Sequence, residues 1–202
     1  MKKQILLAIF LIIGIFEIQA QKTTYYLVRH AEKDTSVAGS TMMQANPPLS
    51  EKGIQRANRL ASILEKEQID YIFSTNYLRT ISTAKPVSTI KRQPILLYEP
   101  NRKLAFADSI QQAPFVGKTI LIVGHSNTIP PLVNTLLKTN KYQNLNDNEY
   151  GFIYKLTLEK GQIKRYCYNL LKASIIKAAV SPNSLPLFIL SIAARSYANS
   201  SF

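Results

Sequence analysis

The chain is poor in the residues that most often build disulfide and metal sites. Its 202 residues include one cysteine, Cys167, and two histidines, His30 and His125. A single cysteine cannot close an internal bridge, so stability has to come from core packing. Within KRYCYNL, Cys167 reads as a partly buried strand residue rather than a nucleophile. Two histidines with no third and no H-x-x-x-H spacing make a poor transition-metal site. Acidic residues are scarce as well: 12 Asp and Glu stand against 25 Lys and Arg, for a net charge of +13. Such a chain attracts anions: nucleic acid, acidic lipid or phosphorylated metabolites. Zinc-finger spacing, a recognition-helix pattern and a dense Lys/Arg block are all missing, so nucleic acid is not the expected partner. The charge is diffuse and fits an anionic ligand without identifying it.

What the sequence does contain begins with MKKQILLAIFLIIGIFEIQA. Lys2 and Lys3, an apolar run from Ile5 to Phe16 and a short polar stretch ending in Ala20 have the layout of a secretory signal peptide. Cleavage is expected between Ala20 and Gln21, giving an exported, periplasmic or extracellular protein with no stable membrane insertion. Retention as an anchor is the alternative, although the apolar run is short for a spanning helix. Removing residues 1–20 takes away two lysines and one glutamate and leaves +12. The remainder divides into a domain over 21–170 and a tail over 171–202, whose two apolar patches flank SPNSLP and select no structure. With 46% apolar and 18% charged residues the chain can bury a real core.

The apolar clusters alternate in the manner of an α/β domain. TTYYLV (23–28) reads as a strand, and LSEKGIQRANRLASILEKE (49–67) as an amphipathic helix capped by Ser50 with Gly53 in its first turn. A strand at 69–73 and a helix at 77–91 follow, the helix open to a kink or split at Pro86. PILLYE (94–99) reads as a strand and 102–111 as a helix. Thr119–Val123 has the continuous apolar character of a strand buried on both faces. A helix over 128–137 takes Pro130 and Pro131 in its opening turn, and 149–170 folds back as a hairpin around 159–161. The expectation is a three-layer αβα sandwich whose sheet is mostly parallel with antiparallel edges.

Ligands of such sheets sit beyond the carboxyl ends of the strands. Arg29 and His30 fall there after the first strand, Ser74–Arg79 after the second, Glu99 after the third and Gly124–Asn127 after the fourth. Arg29 and Arg79 can offer guanidinium forks to a phosphoryl group, and a helix entrance after His125 favours an anion. A neutral imidazole attacks phosphorus if its other ring nitrogen is held as a donor. Departure of an alkoxide calls for a proton, normally from a carboxylic acid. Glu32, Glu99, Asp108, Asp147 and Glu149 are all available, and the residue pattern does not choose among them.

LVRHAEK (27–33), LSEKGIQRA (49–57), IFSTNYLRTISTA (72–84) and ILIVGHSNTIPPLV (120–133) together resemble the histidine phosphatase superfamily, branch 1, of phosphoglycerate-mutase-like fold. The resemblance spans about residues 22–168, in the family's order. It implies that His30 is the nucleophile that becomes phosphohistidine, that Arg29 and Arg79 clamp the phosphate, and that His125 contacts it. Asn127 is expected to help shape the phosphate pocket. It also implies metal-independent chemistry, with no cofactor, on a phosphorylated small molecule or phosphorylated protein.

The chain departs from the family where members commonly carry LxE…GxxEG. Here Leu97, Tyr98 and Glu99 are followed by PNRKLAFAD, so Glu99 is the positional candidate for the donor. Asp147 and Glu149 are its rivals, and Asp108 is expected on a solvated helix face. The short insert also implies an open pocket, which suits a phosphatase better than a mutase. A non-catalytic anion-binding module and a metal-dependent hydrolase are the other readings. Oligomeric state is not encoded in any pattern found.

Overall fold

In the computed structural model, residues 22–36, 46–159 and 162–169 are described. The signal-peptide reading of 1–20 and the tail at 171–202 lie outside them. The strands are β1 (Thr23–Arg29), β2 (Tyr71–Ser74), β3 (Ile95–Leu97), β4 (Thr119–Gly124), β5 (Phe152–Glu159) and β6 (Gln162–Asn169). The helices are α1 (Glu51–Ile63), α2 (Leu78–Lys91), α3 (Lys103–Ser109) and α4 (Ile129–Leu137).

The six strands form one sheet in the order β3-β2-β4-β1-β5-β6. The first four run parallel, and β5 and β6 are antiparallel additions on one side. Among the described residues only that edge is antiparallel, and β3 at the other edge pairs in parallel with β2. A hairpin can double back across two strands, whereas β3 is entered through helix α2 and so keeps the crossover direction.

The sandwich has three layers because successive side chains of a strand point to opposite faces. Tyr25, Leu27, Ile120 and Ile122 pack with Ala107 and Ile110 near α3 and with Leu132, Val133 and Leu136 of α4. Tyr26, Val28, Leu121 and Val123 pack on the other face with Leu60 and Ala61 of α1, Leu64 after it, and Ala84 and Val87 of α2. Strand β4, flanked by β1 and β2, is buried on both faces from Ile120 onward, as its unbroken apolar run requires. Each fully buried aliphatic side chain there contributes roughly 1.5–3 kcal/mol.

Local signals explain most boundaries. Ser50 caps α1, its Oγ accepting from Gly53 N at 3.2 Å. Helix α2 runs through Pro86 without a break, since proline removes a single N–H and the rest of the helical ladder continues. The segment after β3 opens with a 3-10 turn, Pro100–Arg102, before α3. Pro130 and Pro131 sit in the first turn of α4, where the N–H groups have no helical partner to lose. Cys167 lies in β6 as expected, but exposed rather than partly buried, because β6 is the outermost strand.

Candidate active site

Arg29 ends β1 and His30 follows it; Gly124 ends β4 and His125 follows it. The two strands are parallel neighbours with Arg29 opposite Gly124, and His30 N donates to Gly124 O at 2.8 Å. The two histidines are therefore brought side by side by sheet register, with ring centroids 5.4 Å apart and edge to face. A larger residue at Gly124 would force neighbouring side-chain ends to shift. A Cβ there would lie 2.6 Å from the Tyr98 hydroxyl and 2.8 Å from Thr128 Oγ1.

His30 is buried, and its Nδ1–H donates to the Ala31 carbonyl at 2.7 Å. That bond fixes the tautomer and leaves Nε2 with a free lone pair. The Ala31 peptide is itself held, its N–H donating to Thr83 Oγ1 at 2.9 Å, and the Thr83 hydroxyl donates to Arg79 O at 2.7 Å. The nucleophile's carrier loop is thus tied to the helix that supplies the second arginine. Burial pushes the His30 pKa down to about 3, and the nearby His125, Arg79 and Arg29 act in the same direction. Burial, then Arg79 and Arg29, lowers His125 to about 4. Both imidazoles are neutral at pH 7, as nucleophilic attack by His30 needs.

Arg29 is almost fully buried and is gripped from the far end of the chain. One guanidinium nitrogen donates to Asn146 O at 2.6 Å and Glu149 O at 3.0 Å, and the group lies 4.0 Å over the Tyr150 ring. Its Nε, also buried, has no hydrogen-bond partner among the described residues. Arg79 lies 4.5 Å over the Tyr77 ring, and its Nη2 is 3.4 Å from His125 Nδ1. Each cation of the clamp has a tyrosine beneath it. Neither Tyr77 nor Tyr150 was legible in the sequence, because stacking partners carry no spacing rule.

A cavity of about 630 Å³ opens over these groups, lined by Arg29, His30, Arg79, His125, Asn127 and Lys33 among others. Glu99 and Asp147 also line it, both exposed. Asp147 Oδ1 stands 4.0 Å from Arg29 Nη2. Glu149 is turned away from this role: its carboxylate accepts from the backbone N and Nδ2 of Asn146 at 2.6 and 2.9 Å. Asp108 is exposed on α3 and does not line the cavity. Glu32 pairs with both Arg56 Nε and Nη2, at 2.7 and 2.6 Å; burial opposes its ionisation, but the Arg56 bonds prevail and hold its carboxyl below the usual range. Among the described residues no group of three or more His, Cys, Asp or Glu could hold a metal ion.

Residues 25–105, which carry Arg29, His30 and Arg79, match the family model described as histidine phosphatase superfamily (branch 1). Over that segment the chain is similar to the superfamily. His125, outside the matched segment, joins the site through β4. A 70-residue stretch is 36% identical to phosphoserine phosphatase 1 of Hydrogenobacter thermophilus, covering 35% of this chain and a third, 33%, of that relative's length. Among solved structures, the protein histidine phosphatase SixA in complex with tungstate superposes at a TM-score of 0.59 with 16% identity, over 74% of this chain and 98% of that one. A mycobacterial glucosyl-3-phosphoglycerate phosphatase superposes at 0.58 with 15% identity, over 73% and 98%. These structural likenesses establish the phosphoglycerate-mutase-like fold.

Proposed function

We propose that the protein is a metal-independent phosphomonoesterase working through a phosphohistidine on His30. The observation that carries this reading is the Nδ1–H bond of His30 to Ala31 O, which leaves Nε2 as a neutral nucleophile beside two arginines and a second histidine. Nε2 attacks phosphorus as the P–O bond to the leaving group breaks. Arg29 and Arg79 stabilise charge on the remaining phosphoryl oxygens, with the His125 ring packed beside them. The departing alkoxide takes a proton from a carboxylic acid, for which Glu99 on the cavity wall is the candidate. Water then attacks phosphorus, the P–N bond breaks, the water's proton returns to the carboxylate, and inorganic phosphate leaves.

The substrate class is a phosphorylated small molecule or a phosphorylated protein. An open mouth supports hydrolysis over mutase chemistry, since a mutase has to retain and reorient its intermediate. Export to a periplasmic or extracellular space is part of this proposal and is supported by the pattern of residues 1–20 alone.

The test is to incubate the purified protein with a panel of phosphomonoesters, with and without EDTA, quench in alkali and look for acid-labile phosphate on His30. Turnover that persists in EDTA and vanishes in His30→Ala is expected. Unchanged turnover in His30→Ala overturns the mechanism. Vanadate binding without turnover would favour the anion-binding module.

A further inference from the structure

The second histidine is held by a relay that neither the sequence pattern nor the phosphate chemistry calls for. His125 Nε2 lies 2.9 Å from Thr75 Oγ1, and Thr75 Oγ1 lies 3.0 Å from Thr80 Oγ1. The Thr80 hydroxyl reaches the carbonyls of Thr75 and Tyr77, both at 2.9 Å. Thr75 and Thr80 are fully buried.

The direction of every proton in this chain follows from its end. Carbonyl oxygens only accept, so the single Thr80 hydroxyl proton goes to them. The Thr80 oxygen then accepts from Thr75, which commits the Thr75 proton. The Thr75 oxygen is left as an acceptor, and His125 has to donate through Nε2–H. The opposite side of the ring agrees, because Arg79 Nη2 can only donate to Nδ1. The reverse tautomer would set an Nδ1–H against a guanidinium N–H and break both ends at once.

We infer that Thr75, backed by Thr80, is a positioning residue that pins His125 as the Nε2–H tautomer and keeps its Nδ1 lone pair on the side of Arg79. His30 and His125 then carry their protons on opposite ring nitrogens. His30 presents Nε2 because Nδ1 is tied to a carbonyl; His125 presents Nδ1 because Nε2 is tied to a hydroxyl. The remaining neighbours of His125 are the Tyr77 ring at 4.9 Å, the His30 ring and the charge of Arg29. None of them offers Nε2 a competing partner. Thr75 touches no reacting atom and acts through His125.

The structural half of this inference stands alone, and its catalytic half rests on the phosphatase reading. Protein labelled with ¹⁵N-histidine has only two imidazoles to observe. Near neutral pH the wild type is expected to show one Nδ1–H ring and one Nε2–H ring. Thr75→Val keeps the shape and removes the acceptor; it is expected to replace the Nε2–H state with a mixture. It should also lower kcat on p-nitrophenyl phosphate about 10-fold to 100-fold, the range met when the group orienting a functional imidazole is lost. Thr75→Ser restores both.

Two Nδ1–H rings in the wild type overturn the inference, as does an unchanged spectrum in Thr75→Val. Thr80→Val frees the Thr75 proton to turn back on His125 and is the second variant, expected to disturb the same tautomer. The wild-type spectrum decides even where a variant fails to fold. It also decides where the protein turns over no phosphoester at all, so the two readings fail separately.

Discussion

The rings of His30 and His125 meet edge to face 5.4 Å apart, two ionisable groups packed together while both are uncharged at neutral pH. Each is depressed chiefly by burial, from 6.5 to about 3 and about 4. The unfolded chain therefore binds more protons than the folded one between roughly pH 6.5 and 3. Stability from these groups is fully present above about pH 6.5 and drains away as pH falls through that window. Thermal unfolding across pH 7.5 to 4 is expected to show a falling midpoint, shallower in His125→Asn. A midpoint that rises on acidification would contradict the neutral pair.

Glu99 and Asp147 can be separated by leaving group. A general acid matters little for p-nitrophenolate and much for an alkyl alcohol. Glu99→Gln is expected to leave kcat/KM for p-nitrophenyl phosphate, which reports phosphohistidine formation, nearly unchanged and to lower kcat/KM for an alkyl phosphate by about 10²-fold or more. Asp147 stands 4.0 Å from Arg29; Asp147→Asn is expected to change KM more than kcat for both. Steady-state kinetics on the two substrates reverse the assignment if Asp147→Asn alone shows the leaving-group dependence.

Gly53 holds α1 against the loop that follows the nucleophile. A Cβ on it would fall 2.1 Å from Glu32 O, the same carbonyl that accepts from Ser50 N. Ordinarily, alanine for glycine inside a helix gains about 0.5–1 kcal/mol. Here overpacking against backbone, about 1–3 kcal/mol, outweighs that gain. Gly53→Ala is expected to lower the urea midpoint and to reduce turnover by shifting the 30–32 segment. A stabilised variant would refute the contact.

Tyr150 lies beneath Arg29 and edge-on to His30, with centroids 6.1 Å apart. Losing the stacked ring costs about 0.5–1 kcal/mol of cation–π attraction. Tyr150→Leu is expected to lower kcat/KM two- to fivefold, with Tyr150→Phe near wild type. Equal losses in both variants would point to the hydroxyl instead.

The four groups around the phosphoryl position were legible because they are chemically rare and lie where strands end. With two histidines in 202 residues, a second one at an equivalent strand end carries real information. The cap at Ser50 and the proline opening of α4 were equally legible, since both rest on local hydrogen-bond bookkeeping within one turn. What escaped was tertiary. The carbonyls of Asn146 and Glu149 that grip Arg29 belong to no residue type, and the Thr75 relay depends on two hydroxyls meeting a ring 50 residues away. Pro86 left a kink or a split of α2 open, and the helix runs through it without a split. The side chain of Glu149, a rival as proton donor, proved to be occupied by Asn146.

The placement of β1 also governs the order in which the protein can fold. It is the first strand among the described residues, yet both its neighbours, β4 and β5, lie at 119–124 and 152–159. Strands β2 and β3 pair with each other and with β4, never with β1. On a growing chain the strand that carries Arg29 has no ladder to join until almost 100 further residues have been made, the interval from β1 to β4. Contacts of such long sequence separation slow folding. A piece ending at residue 105 would hold the whole segment that matches the family model and leave β1 without a partner on either side.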